Sequence, residues 1–150
     1  MIQFDNINNE PPYLVFKDKY IESVNAKQKN IEAICISSYS SGNKEVNARY
    51  VNLKIIDGKE FIFFSNYNSP KSIDFNSHNQ ITALIYWNNI NVQIRMKAKI
   101  KRTTDKFNQK YFFHRSKEKN ALAISSNQSK PIDSYNQVKE NYNRSLESDD

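Results

Sequence analysis

The 150-residue chain contains one cysteine, two glycines, four prolines, two histidines and one tryptophan. The single Cys35 excludes an internal disulfide and a thiolate metal cluster. Gly42 and Gly58 alone cannot form a glycine-rich phosphate cradle, and there is no P-loop, G-x-G-x-x-G or nucleophile elbow. Any phosphate must therefore be held by Arg, Lys and hydroxyl side chains. His78 and His114 are far apart, with no Asp/Glu cluster at ligand spacing beside them. Neither a metal site nor a Ser/Cys–His catalytic pair is indicated. No run approaches the ~18 apolar residues of a membrane helix. Met1–Glu10 lacks the apolar centre of a signal peptide. The expectation is a soluble, cytoplasmic protein.

What the chain does contain is aromatic and basic. Hydrophobic residues make up only 38%, but nine Tyr and nine Phe raise the aromatic share to 13%. Each ring buries ~150–250 Å², enough to fill a small core economically and to exclude wholesale disorder. The length predicts one domain over residues 1–150, with 1–10 and 145–150 disordered. Twenty-two Lys and Arg against sixteen Asp and Glu leave a net charge of +6. That balance suits nucleic acid, phosphate or a phosphorylated cofactor, and equally an ordinary solvated surface.

Periodicity divides the chain into elements. Phe16, Tyr20 and Val24 recur at helical spacing behind Pro11 and Pro12, predicting an amphipathic helix. Ile34-Cys35-Ile36 reads as a buried strand and Ser40-Ser41-Gly42-Asn43 as a turn. Val46 to Ile56 alternates, with Val51, Leu53 and Ile55 on one face and Tyr50, Asn52 and Lys54 on the other. Asp57-Gly58 signals a hairpin, with Phe61–Phe64 returning. Pro70 suits the first turn of a short helix ending near Ser77. Ile81–Trp87 and Val92–Lys101 are further strands. In the latter, Ile94, Met96, Ala98 and Ile100 oppose Gln93, Arg95, Lys97, Lys99 and Lys101. Helices follow over Asp105–Phe113, with Thr104 as N-cap, over Glu118–Ile124, and through Ile132, Tyr135, Val138 and Tyr142. Strands joined by short turns, with helices at the margins, make the fold mainly β with peripheral helices, an antiparallel sheet or a small closed barrel.

The basic row Arg95, Lys97, Lys99 and Lys101 fits a nucleic-acid surface or a merely solvated strand face. A more specific pattern is carried by Arg49-Tyr50-Val51-Asn52-Leu53-Lys54, then Phe61-Ile62-Phe63-Phe64-Ser65-Asn66-Tyr67-Asn68-Ser69-Pro70-Lys71. Tyr86-Trp87 and Gln93-Ile94-Arg95 follow, then Tyr111-Phe112-Phe113-His114-Arg115 and Ser126-Asn127-Gln128-Ser129. In this order and spacing they resemble the pyridoxamine 5'-phosphate oxidase family, FMN-dependent enzymes on a split β-barrel. The resemblance runs from about Pro12 to Tyr142.

The resemblance implies a cofactor site made of Arg49, Tyr50, Val51, Asn52, Leu53, Lys54, Phe64, Ser65, Lys71, Gln93, Gln128 and Ser129. Arg49 and Lys71 would hold the FMN phosphate, and Gln93 would reach the isoalloxazine. Lys54, Tyr111 and Arg115 would contact a small-molecule substrate, pyridoxamine or pyridoxine 5'-phosphate, as part of pyridoxal phosphate metabolism. No catalytic residue of the chain itself is implied. The flavin takes a hydride from substrate C4′, and dioxygen reoxidises it to give hydrogen peroxide. A homodimer with the flavin at the interface is also implied, and neither a membrane nor a metal.

Three departures accompany the resemblance. Pro70 stands where the family has an Arg before the Lys. Lys119 stands where it has a substrate-side Ser. The family's C-terminal strands, with a Trp and an Arg for the flavin and an Arg and a His for the substrate, have no counterpart in these 150 residues. Two alternatives therefore stand beside the oxidase: an FMN-binding split-barrel protein with another substrate or none, and a basic nucleic-acid-binding module without flavin.

Overall fold

The computed structural model describes residues 1–65, 70–113 and 134–147, with the backbone alone at residues 70, 71, 106, 110, 112 and 113. The chain divides into two compact units, one of Met1–Ser65 with Ile73–Ile100, the other of Asn66–Ser72 with Lys101–Asp150.

The first unit is built on a six-stranded sheet. Its strands are β1 (Gln3–Asp5), β2 (Ala33–Ser40), β3 (Glu45–Asp57), β4 (Glu60–Phe63), β5 (Gln80–Trp87) and β6 (Val92–Lys99). They run β1-β3-β2-β5-β6, with β4 on β3. Every pairing is antiparallel except β1 with β3. Among the described residues no ladder joins β6 back to β1 or β4, and the sheet-dominated architecture agrees with the mainly β, split-barrel expectation.

β1 is the first departure from expectation, since residues 1–10 were to be disordered. Ile2 is buried, and its backbone N–H donates to the Tyr20 hydroxyl at 2.8 Å. An apolar anchor and a parallel ladder to β3 outweigh the entropy of ordering a short terminus. Helix α1 (Pro11–Asn25) begins with its two prolines, where absent N–H groups are harmless. It buries Phe16, Tyr20 and Ser23, whereas Val24, expected inside, is exposed. Phe16 meets Phe61 edge-on at 5.1 Å and Trp87 at 5.5 Å. Trp87 is fully buried and donates its indole N–H to the Ile31 carbonyl at 3.1 Å.

Alternation positions everything else. Ile34, Ile36, Ser38 and Ser40 of β2, and Ile81, Ala83, Ile85 and Trp87 of β5, face the core. Cys35, expected to be buried, is half-exposed because it takes the other face, in register with Tyr50 and Leu84. On β3 the expected face of Val51, Leu53 and Ile55 breaks at an irregularity between Leu53 and Ile55. The ladder pairs Leu53 with Phe63 and Ile56 with Phe61, so Ile56 takes the core position and Ile55 turns to the other side, opposite Ile62. Gly58 closes the β3–β4 hairpin at φ 58°, a left-handed conformation that glycine adopts most readily.

The 3-10 turn Asn88–Ile90 and Asn91 at φ 52° link β5 to β6. Helix α2 (Pro70–Ser77) starts at the proline that predicted it. In the second unit, α3 spans Asp105–Phe113 and is capped as expected, with Phe107 N–H donating to Thr104 Oγ1 at 3.3 Å. Helix α4 (Tyr135–Glu147) contains Tyr135, Val138 and Tyr142. It continues past Ser145, so the tail expected to be disordered is helical up to Glu147. The helix expected over Glu118–Ile124, and Ile132, lie outside the described residues.

Candidate functional site

Arg49 faces inward on β3, in register with Ile36 of β2. Its Nη1 donates to Ser38 Oγ at 2.6 Å, and its Nη2 lies 3.6 Å from Asp74 Oδ2 of α2. Ser38 and Asp74 are themselves buried, at 2% and 7% exposure. A guanidinium drawn this far from water needs compensation, which a hydroxyl and a carboxylate supply. The Asp74 contact is an ion pair too long for a hydrogen bond. Most of the five N–H donors of Arg49 therefore have no hydrogen-bond partner among the described residues. Asp74 is fixed by its helix: its carbonyl accepts from His78 N–H and from Ser77 Oγ, each at 2.9 Å.

Lys54 occupies a different environment. Beside the β3 irregularity it pairs with Glu32, just before β2, and Glu32 also receives the Met1 ammonium. Burial pushes the Glu32 carboxyl up, but the hydrogen bonds and charges of Lys54 and the amino terminus outweigh it and hold the group below its ordinary value. The two basic residues of the motif, Arg49 and Lys54, therefore belong to separate charge clusters.

The remaining residues of the expected site scatter by face. Tyr50 and Asn52 point outward and are exposed, Val51 is half-buried, and the Leu53 side chain is packed in the core. Any ligand contact at Leu53 is thus through its main chain. Phe64 and Ser65 follow β4 and are half-buried. Lys71 is described by its backbone alone, in the first turn of α2. Gln93 is exposed on the outward face of β6, in register with Tyr86. Tyr111 lies on α3 of the second unit, half-buried. Arg115, Gln128 and Ser129, and the departures at Lys119 and beyond, lie outside the described residues.

Three residues that sequence reasoning missed join these clusters: Ser38, Asp74 and Glu32. Ser38 was discoverable as the next inward position after Ile34 and Ile36. Asp74 stands three residues after Lys71, one helical turn on. Glu32 carried no signal, because its partners are distant in sequence.

The outward face of the sheet is a second feature. One row crosses four strands as Tyr50, Cys35, Leu84 and Arg95, and the next as Ala48, Ser37, Thr82 and Lys97. Val46, Tyr50 and Tyr86 are well exposed on this face, with basic residues along the β6 edge.

Comparison with known proteins agrees with this architecture. The family model described as Pyridoxamine 5'-phosphate oxidase matches residues 21–144. A pyridoxine/pyridoxamine 5'-phosphate oxidase of Burkholderia lata is 30% identical over 123 residues, covering 82% of this chain and 57% of its own length. The Caulobacter vibrioides enzyme of that name is 25% identical over 126 residues, covering 84% of this chain and 56% of its own. The chain thus spans little more than half the length of these relatives. Among solved structures, PhzG of Burkholderia lata, in complex with tetrahydrophenazine-1-carboxylic acid, superposes with a TM-score of 0.85. It is 20% identical and covers 91% of this chain and 67% of its own. A pyridoxamine 5'-phosphate oxidase-related, FMN binding protein of Nostoc punctiforme superposes with a TM-score of 0.69 at 12% identity, over 87% and 72% of the two chains. These neighbours establish the split-barrel fold.

Proposed function

This chain belongs to the pyridoxamine 5'-phosphate oxidase family, and on that premise we propose that it binds FMN and acts as an FMN-dependent oxidoreductase on a small molecule. The observation that carries the reading is Arg49, a part-buried guanidinium held by Ser38, with most of its donors uncommitted among the described residues. A cofactor phosphate is a dianion rich in acceptors, and such a guanidinium fits it. Lys71, one turn before Asp74, is the second donor of the proposal.

Bound FMN supplies a two-electron acceptor for hydride; the chain's own residues bind, orient and exclude water. Arg49 and Lys71 anchor the phosphate end, while Gln93 and the main chain of Phe64 and Ser65 orient the ring system. Tyr111, Arg115 and Lys54 form the substrate side, with pyridoxamine or pyridoxine 5'-phosphate as substrate and dioxygen as acceptor. For Lys54 this requires exchange of its Glu32 partner. We place the protein in the cytoplasm and in pyridoxal phosphate metabolism on the same footing.

The partner is a second copy of this chain, docked through the outward face of β3, β2, β5 and β6. Exposed Val46, Tyr50, Leu84 and Tyr86 on a rigid sheet favour a flat, self-complementary contact.

The test is an absorbance spectrum after loading with FMN and gel filtration. Retained bands near ~370 and ~450 nm support the reading, and a colourless protein overturns it. A second reading keeps the flavin and changes the substrate. It is favoured by Pro70 in place of the family's arginine and by the likeness to PhzG, whose structure holds a tetrahydrophenazine carboxylate. Peroxide release with pyridoxamine 5'-phosphate, set against release with reduced heteroaromatic acids, separates the two.

A further inference from the structure

We propose that Asp74 is a stand-in anion for the cofactor phosphate: it neutralises Arg49 in the flavin-free protein and lowers the affinity for FMN. The inference rests on the reading of Arg49 given above. Its own basis is geometric. Asp74 Oδ2 is 3.6 Å from Arg49 Nη2, while the other terminal nitrogen, Nη1, donates to Ser38 Oγ at 2.6 Å. The carboxylate is buried, and helix α2 fixes its main chain through His78 and Ser77. Its main chain is held by the helix, so the carboxylate stays within a side-chain rotation of Arg49 when another anion arrives.

Two consequences of opposite sign follow. Without flavin, Asp74 stabilises the fold, because removing it leaves a part-buried cation whose one remaining partner among the described residues, Ser38, is neutral. With flavin, a phosphate dianion at Arg49 meets the negative charge of Asp74 a few ångströms away, in a poorly screened environment. Ser38 carries no charge, so it positions Arg49 in both states. A purely structural role for Asp74 would give one sign only: the variant would be less stable and would bind FMN no better.

The experiment is a pair of fluorescence-quenching titrations, with FMN and with riboflavin, on the wild-type chain, Asp74→Asn, Asp74→Glu and Arg49→Ala. Melting of the flavin-free proteins is followed in parallel. Asp74→Asn is expected to bind FMN about tenfold tighter, to bind riboflavin as the wild type does, and to melt at a lower temperature without flavin. Asp74→Glu, which keeps the charge, retains wild-type FMN affinity. Should Asp74→Asn fail to fold, Asp74→Ser, neutral and smaller, is read in the same way. Unchanged or weaker FMN binding by the neutral variants overturns the proposal, as does equal tightening of FMN and riboflavin. A wild-type chain that binds neither flavin, or Arg49→Ala that binds FMN undiminished, overturns the underlying reading of Arg49 and the inference with it.

Discussion

Arg49 shows how one side chain can be legible in type and illegible in circumstance. An arginine inside an otherwise apolar alternation stands out in the sequence, and inward placement follows from period two. Its partners do not follow, because Ser38 is eleven residues before it and Asp74 twenty-five after. If Arg49 holds the phosphate as proposed, replacing it with alanine removes a charge-assisted contact worth ~1.5–3 kcal/mol, about tenfold or more in FMN affinity. Flavin titration checks this, and riboflavin, which lacks the phosphate, should bind as before.

Among the elements, the β3–β4 hairpin carries the sharpest consequence. Gly58 is at φ 58°, and a Cβ there would meet nothing closer than the Asn6 carbonyl at 3.8 Å. Space is therefore not the obstacle. The left-handed backbone is, and Gly58→Ala should cost about 1–2 kcal/mol, read as a lowered urea midpoint, with Gly58→Asn losing less. The Asp57-Gly58 signal was visible in the sequence because turn chemistry is local. The irregularity near Lys54 was not, since a bulge is defined by the strand opposite. That one displaced residue turned Ile55 to the opposite face, where it is still buried against Ile62, and put Ile56 in its place. Val24 is exposed and Ser23 buried on α1 for a similar reason: only the packed sheet determines how the helix is rotated.

For the whole molecule, acid stability and association offer the tests. Glu32 titrates below its ordinary value in the fold. Its contribution is therefore present above the unfolded value of about 4.3 and is lost as pH falls through the lower, folded one. Urea midpoints of the wild type should decline below about pH 4.5, and Glu32→Gln should start lower and decline less steeply. The exposed aromatic and aliphatic residues of the outward face predict a dimer at micromolar concentration by light scattering. Tyr86→Asp, placing a carboxylate on that face, should shift it to monomer; a monomeric wild type would remove the homodimer from the proposal.

Strand alternation, helix starts at Pro11 and Pro70, the Thr104 cap and the turn at Gly58 were all readable from residue order. Each depends on interactions within a few positions of the chain. The aromatic core was readable in composition, and the order of the motifs was enough to suggest the family. Tertiary structure alone decided the rest: the parallel seating of β1, the pairing of Arg49 with Ser38 and Asp74, and the capture of Lys54 by Glu32. These depend on which strands become neighbours, and on the low dielectric of the places where charges meet, neither of which a local pattern encodes.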